Sequence, residues 1–161
     1  MEHVYHEISP VYDSESKILI LGSFPSVKSR ETAFFYGHPQ NRFWKVLSAL
    51  CHEDLPSTVE KKKEFLLRNH IAVWDVIASC DIQGSSDSSI KNVTPNDLNL
   101  ILNHSKIHSI YTNGATSYKL YQKYCLAATG REALKLPSTS PANAAFSLEK
   151  LIEQWGLALK L

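Results

Sequence analysis

Three short apolar runs do most to limit what this chain can fold into. Lys17–Gly22 (KILILG), Ile71–Val76 (IAVWDV) and Ile107–Asn113 (IHSIYTN) have the length and β-branching of strands buried in a parallel sheet. Helical patterns lie between and after them. Phe43, Val46, Leu47 and Leu50 repeat at helical spacing, as do Leu148, Leu151, Ile152 and Trp155. Ser57 with Glu60 forms a capping-box pattern ahead of EKKKEFLLRN. Thr94, Pro95 and Asp97 give a cap, a first-turn proline and an acidic first turn ahead of LNLILN. Strands alternating with helices imply one α/β domain over residues 1–161. Its expected form is a three-layer α/β/α stack around a mostly parallel central sheet of about four strands. The polar run GSSDSS (84–89) reads as a surface loop within that domain.

Composition removes several function classes. A net charge of +1 gives no global basic field, so any nucleic-acid contact must come from a local patch. The three cysteines form no CxxC pair and leave one unpaired in any disulfide scheme, which suits a reducing, cytoplasmic setting. The N-terminal MEHVYHEISP lacks a charged start followed by an apolar run, and no stretch approaches membrane-spanning length.

Ligands of open α/β folds sit outside the carboxyl ends of the strands, and that rule selects the candidates. In GSFPS (22–26), Gly22 and Pro25 make a tight turn and Ser23 and Ser26 add hydroxyls. It has neither P-loop nor GxGxxG spacing, and an ordinary strand-to-helix turn also explains it. In YGHPQNRFW (36–44), Tyr36 offers a flat ring, Asn41 an amide and Arg42 a phosphate fork, while Phe43 and Trp44 read as core. Asn41 serves equally as a helix cap, and the two roles are compatible. No Asp or Glu lies between Glu31 and Glu53, so chemistry in this stretch rests on amides, hydroxyls and backbone N–H groups. Asp75 can orient water or bind a polar ligand edge, or simply bond strand-end backbone. Asn113 can read a base edge or serve a turn. In LPSTSPAN (136–143), Pro137 and Pro141 stiffen a loop whose Ser138, Thr139 and Ser140 can hold phosphate or whose edge can enter a duplex. A capped loop explains this run as well. His104 and His108 straddle a strand start without acidic or cysteine partners, so no metal site is assigned there.

Taken in order, GSFPS, FYGHPQNRFWKVL and LPSTSPAN resemble the uracil-DNA glycosylase superfamily, from about Ile18 to the last helix. HPQNRFWKV is similar to the mismatch-specific thymine/uracil branch. The full combination with WDVIASC looks most like the hypoxanthine-DNA (deoxyinosine) glycosylase branch. The resemblance implies a monofunctional enzyme that flips a deaminated base, hypoxanthine first, out of DNA and hydrolyses its N-glycosidic bond. It implies no metal and no organic cofactor, and the reading takes the protein as a cytoplasmic monomer.

The resemblance places the catalytic asparagine at Asn41 and the base-stacking aromatic at Tyr36. Phe24 stands where the mismatch-specific branch has a water-activating asparagine, and phenylalanine cannot hydrogen-bond water. Around these, Gly22, Ser23, Phe24 and Asn113 are expected to form the base pocket, with Asp75 a second catalytic group proposed on position alone. Ser26, Lys28, Arg42, Ser138, Thr139, Ser140 and Pro141 are expected to face DNA, with Lys28, Arg30 and Arg42 forming the local basic patch. The competing readings are a uracil or thymine mismatch glycosylase, a non-catalytic nucleic-acid-binding module, and an enzyme for free nucleosides.

Overall fold

The computed structural model describes residues 2–161. Strands β1 (Glu2–Tyr5) and β2 (Ile18–Gly22) precede helices α1 (Val27–Thr32), α2 (Phe43–Leu50) and α3 (Val59–Arg68). Strands β3 (Ile71–Asp75) and β4 (Ile77–Ile82), a 3-10 turn at Asp87–Ser89, strand β5 (Lys91–Pro95) and helix α4 (Asn99–Leu102) follow. The chain ends with β6 (Ser109–Asn113), α5 (Ala115–Tyr124), α6 (Leu126–Thr129), β7 (Ala133–Leu136) and α7 (Leu148–Leu159).

The expected parallel sheet is present, in the order β3-β2-β6-β7. β2 is central, its register running from Ile18↔Ile71 to Gly22↔Asp75 on one side and from Ile18↔Ser109 to Leu21↔Thr112 on the other. All five β2 residues are buried, which is why the run is continuously apolar. β7, the fourth strand, was not singled out in the sequence. As an edge strand it exposes Leu134 and Lys135, so its apolar run is broken.

From β2 the chain steps one way to β3 and later the other way, through β6 to β7. Right-handed crossovers in opposite directions put helices on opposite faces of the sheet. α3 packs on β3, α5 on β6 and β7, and α2 on α7. At the α2–α7 contact the Phe43 and Trp155 rings meet edge to face at 6.0 Å. The reversal also opens a crevice between the carboxyl ends of β2 and β6, where such folds bind ligands.

A second, antiparallel sheet of order β1-β4-β5 was not anticipated. Only Val76 separates β3 from β4, so the chain changes sheets directly after Asp75. Asn96 pins this junction, its Nδ2 donating to the carbonyls of Asp75 (2.9 Å) and Ile77 (3.2 Å). Pairing with β4 overrides the expected helix start at Thr94 and Pro95. Thr94 sits opposite Ser79 and Pro95 opposite Ile77, at the end of an edge strand where a missing N–H is tolerated. Asp97 keeps a local role, its Oδ1 accepting from Asn99 N at 3.2 Å.

The cap of α3 is also displaced by one residue. Thr58, not Ser57, is the N-cap: its backbone is extended and its hydroxyl accepts the Lys61 N–H at 3.1 Å. Thr58→Ala should therefore lower the unfolding free energy by about 1 kcal/mol, while Ser57→Ala stays within about 0.5 kcal/mol of the parent in urea titrations. A loss at Ser57 with none at Thr58 would restore the original capping box.

Candidate active site

The crevice between β2 and β6 holds a cavity of about 330 Å³, within the usual range for small-ligand sites. Gly22 and Asp75, opposite one another at the ends of β2 and β3, line it. A Cβ on Gly22 would collide with Asp75 Oδ1 and come within 3.1 Å of the Tyr36 hydroxyl. Glycine is thus required here by close approach of side chains and not by its backbone angles.

Tyr36 and Phe24 form aromatic walls. Tyr36 has φ of 51°, in the left-handed region that non-glycine residues seldom adopt and that clusters at functional sites. Its ring stacks on Phe43 with centroids 3.9 Å apart and planes 19° apart. Phe43 is fully buried, as expected of core, and backs the ring that faces the cavity. The Tyr36 hydroxyl is buried without a hydrogen-bond partner among the described residues. Burial, and then the nearby Asp75 charge, push its ionisation well above the ordinary phenol range, so it remains an O–H group.

Asn41, Thr139 and Asn113 are joined across the cavity. Asn41 Oδ1 accepts from the Phe43 N–H at 2.9 Å and from the Thr139 hydroxyl at 2.8 Å. Arg42, not Asn41, is the N-cap residue of α2 and its side chain makes no cap bond; Asn41 stands one residue earlier and ties down only the first helical N–H, that of Phe43. Its Nδ2 is the half that remains, donating to nothing among the described residues. Thr139 Oγ1 in turn accepts from Asn113 Nδ2 at 2.9 Å, and Thr139 N–H donates to Asn113 Oδ1 at 3.0 Å. Both polar atoms of Asn113 are occupied by Thr139, which narrows its expected role of reading a base edge to one remaining N–H.

Asp75 is 4% exposed. Its Oδ2 lies 2.8 Å from His6 Nε2, and the two side chains are 5% and 2% exposed. Its Oδ1 has no partner among the described residues. The simple strand-end reading, in which the carboxylate bonds backbone N–H groups, does not hold.

The residues assigned to a DNA face divide into two groups. Arg42 does not present a free fork, because its guanidinium donates to the carbonyls of Thr139 (3.4 Å), Ser140 (2.8 Å), Asn143 (3.1 Å) and Phe146. Arg30 likewise donates to Gly84 O at 2.7 Å, and its guanidinium lies 5.7 Å from the Phe24 ring. Thr139 is fully buried, so it cannot be part of an edge entering a duplex. Ser26 caps α1, accepting Ser29 N–H at 3.1 Å, and lines the cavity. Lys28 is exposed in a 3.4 Å pair with Glu31 and does not line the cavity. Ser138 and Ser140 line it, accepting the backbone N–H groups of Ser140 and Ala142, which leaves each hydroxyl proton available. Pro141 is exposed at the rim.

Two carboxylate-linked features went unread in the sequence. His6 reaches Asp75 only through the β1–β4 pairing. The GSSDSS loop is at the surface as expected, but it folds back onto the cavity. Ser85 Oγ accepts Val27 N–H at 2.9 Å, and Asp87 Oδ1 accepts the Ser23 hydroxyl at 3.2 Å. Among the described residues no group of three or more His, Cys, Asp or Glu side chains is arranged to hold a metal ion.

Residues 9–156 match the family model of the uracil DNA glycosylase superfamily. The chain is similar to the hypoxanthine DNA glycosylase of Methanosarcina barkeri (strain Fusaro / DSM 804), 35% identical over 153 residues that cover 94% of this chain and 95% of that protein. It is also similar to the hypoxanthine DNA glycosylase of Methanosarcina acetivorans, 37% identical over 139 residues, covering 85% and 87%. A Methanosarcina acetivorans chain solved in solution by NMR is 34% identical and superposes with a TM-score of 0.78 over 91% of each chain.

The internal use of Arg42 makes a testable distinction. Arg42→Met should lower stability by about 2–3 kcal/mol and open the 138–146 loop to limited proteolysis, because four part-buried carbonyls lose a donor. Arg42→Lys should not rescue it, since a point-like ammonium cannot serve spread carbonyls as a planar fork does. Unchanged stability and protease resistance in Arg42→Met would return Arg42 to a surface role.

Proposed function

The chain belongs to the uracil DNA glycosylase superfamily, and we propose that it removes hypoxanthine from deoxyinosine-containing DNA. It does so by flipping the nucleotide and hydrolysing the N-glycosidic bond, as a monomeric, cytoplasmic enzyme in which residues 1–161 form one glycosylase domain. The observation that carries this reading is a cavity at the strand-order reversal with aromatic walls and unpaired polar groups on its floor and side. The names of the two Methanosarcina relatives favour hypoxanthine over uracil. Phe24 favours it too, because a buried phenylalanine gives the turn after β2 no side chain to hold water.

The C1′ atom is inaccessible within a duplex, so the nucleotide must leave the stack. A flipped purine would rest against Tyr36, whose ring is fixed by Phe43, with Phe24 as the second wall. Ser23 and Phe24 line the cavity, and their backbone N–H groups donate to nothing among the described residues. They are suited to the base edge, where negative charge grows as the bond breaks. Asn41 contributes a donor, since its oxygen is occupied: Nδ2 holds the attacking water by a lone pair or polarises the sugar–base unit. The free Oδ1 of Asp75 faces the developing sugar cation. Ser138 and Ser140 have hydroxyl protons for phosphate, and Pro141 stands where an exposed edge can replace the departed base. No lysine lines the cavity among the described residues, in keeping with base release and no strand cleavage. No metal or organic cofactor is called for.

Single-turnover assays on oligonucleotides carrying one hypoxanthine, uracil or xanthine test this reading, with hypoxanthine expected to be released fastest. Asn41→Ala should slow release by about 100-fold or more. Asn41→Asp should slow it similarly, although a carboxylate can still accept the Phe43 N–H, because it has no N–H to donate. Uracil released faster than hypoxanthine would favour the mismatch-type alternative. Binding without release over hours would favour the non-catalytic one. An active Asn41→Asp would refute the donor role.

A further inference from the structure

Resting on the reading of this cavity as a base-excision site, we propose that His6 is a positioning residue. Its imidazole holds Asp75 so that Asp75 Oδ1 takes the proton of the attacking water. Asn41 cannot act as the base. Its Oδ1 already accepts from Phe43 N and Thr139 Oγ1, and its Nδ2 can only donate. Asn41 can steady a water molecule but cannot receive its proton. Two carboxylates line the cavity. Asp87 lies on the exposed loop and holds the Ser23 hydroxyl. Asp75 is buried, and its Oδ1 is unpartnered among the described residues.

The other oxygen of Asp75 is gripped by His6. Ile8 N–H, which can only donate, lies 3.3 Å from His6 Nδ1. That nitrogen therefore carries the lone pair, and the ring proton resides on Nε2, 2.8 Å from Asp75 Oδ2. The ring sits among Phe24, Phe35 and Trp74, with centroids at 6.0, 6.1 and 6.5 Å. An aromatic cage excludes water and strengthens a hydrogen bond to a charged acceptor. His6 arrives there because β1 pairs with β4: Tyr5 lies opposite Ser79, and His6 N–H donates to Ala78 O at 2.7 Å. The small antiparallel sheet thereby gains a task, to fix the histidine that fixes the carboxylate.

In the step itself, the water oxygen bonds to C1′ as the C1′–N9 bond breaks, and the bonding pair leaves on the purine. The water proton passes to Asp75 Oδ1, the purine anion takes a proton from solvent, and Asp75 returns its own to solvent. One water is consumed, giving free base and an abasic site.

His6→Phe keeps a ring in the cage but removes the N–H, whereas His6→Gln keeps a donor at similar reach. These variants, Asp75→Asn and the double variant His6→Phe/Asp75→Asn should be compared in single-turnover release of hypoxanthine. Their affinity for an oligonucleotide with a non-cleavable deoxyinosine analogue should be measured in parallel. His6→Phe is expected to slow release by about 10-fold to 100-fold while changing affinity less than about threefold. His6→Gln should recover to within about fivefold of the parent, and Asp75→Asn should be slower by about 100-fold or more. The double variant should be no slower than Asp75→Asn, since His6 acts through Asp75. A parental rate in His6→Phe, no rescue by His6→Gln, or multiplying effects in the double variant would each overturn the assignment. A parent enzyme that releases no base would overturn the base-excision reading itself, whereas equal release by parent and all variants would overturn the roles given to His6 and Asp75 and leave that reading standing.

Discussion

The hydroxyl of Thr139 joins the parts of the chain that enclose the cavity. It accepts from Asn113 at the end of β6 and donates to Asn41 at the start of α2. Because a hydroxyl has one proton, this orientation settles its neighbours: Asn41 must present oxygen to Thr139 and nitrogen elsewhere. The Phe43 N–H imposes the same orientation independently. An anchor for the first turn of α2 and a cavity donor are thus two halves of one amide. Thr139 holds this arrangement only because its own loop is rigid. The carbonyls of residues 137–140 are taken in turn by Trp155 Nε1, Asn143 Nδ2, the Arg42 backbone and the Arg42 guanidinium.

The floor of the cavity answers to a different constraint. Gly22 lets Asp75 and the Tyr36 hydroxyl approach over the end of β2, and any Cβ there would separate them. Donor groups sit on the α2 and Thr139 side, while the carboxylate sits on the β3 and His6 side. The hydrolysis proposed above draws on both, a donor to hold water and an acceptor to take its proton. The two sheets meet at Val76, which places the two sides at one cavity.

The parallel sheet was legible because burial on both faces leaves an unbroken apolar run, as in KILILG. The antiparallel sheet was not, because β1 and β5 are largely exposed and their pairing is distant in sequence. Tyr36, Asn41 and Gly22 line one cavity, and the sequence pointed to them through strand-end position and through the resemblance carried by GSFPS and FYGHPQNRFWKVL. Arg42 and Thr139 were misread. A guanidinium or a hydroxyl suits a phosphate and a backbone carbonyl equally, and only tertiary structure shows which is within reach. His6 could not be read at all, since it lies 69 residues from Asp75 and in no motif.

The central claim is that a flipped purine occupies this cavity with the Asn41 nitrogen turned toward it. A crystal structure with an oligonucleotide carrying a non-cleavable 2′-fluoro deoxyinosine tests it most directly. The expected complex has hypoxanthine against Tyr36, Asn41 Oδ1 still on Phe43 N and Thr139, and Asn41 Nδ2 bonded to the base, the sugar or an ordered water. A nucleotide left stacked in the duplex, or an Asn41 whose oxygen has turned into the cavity, would contradict it.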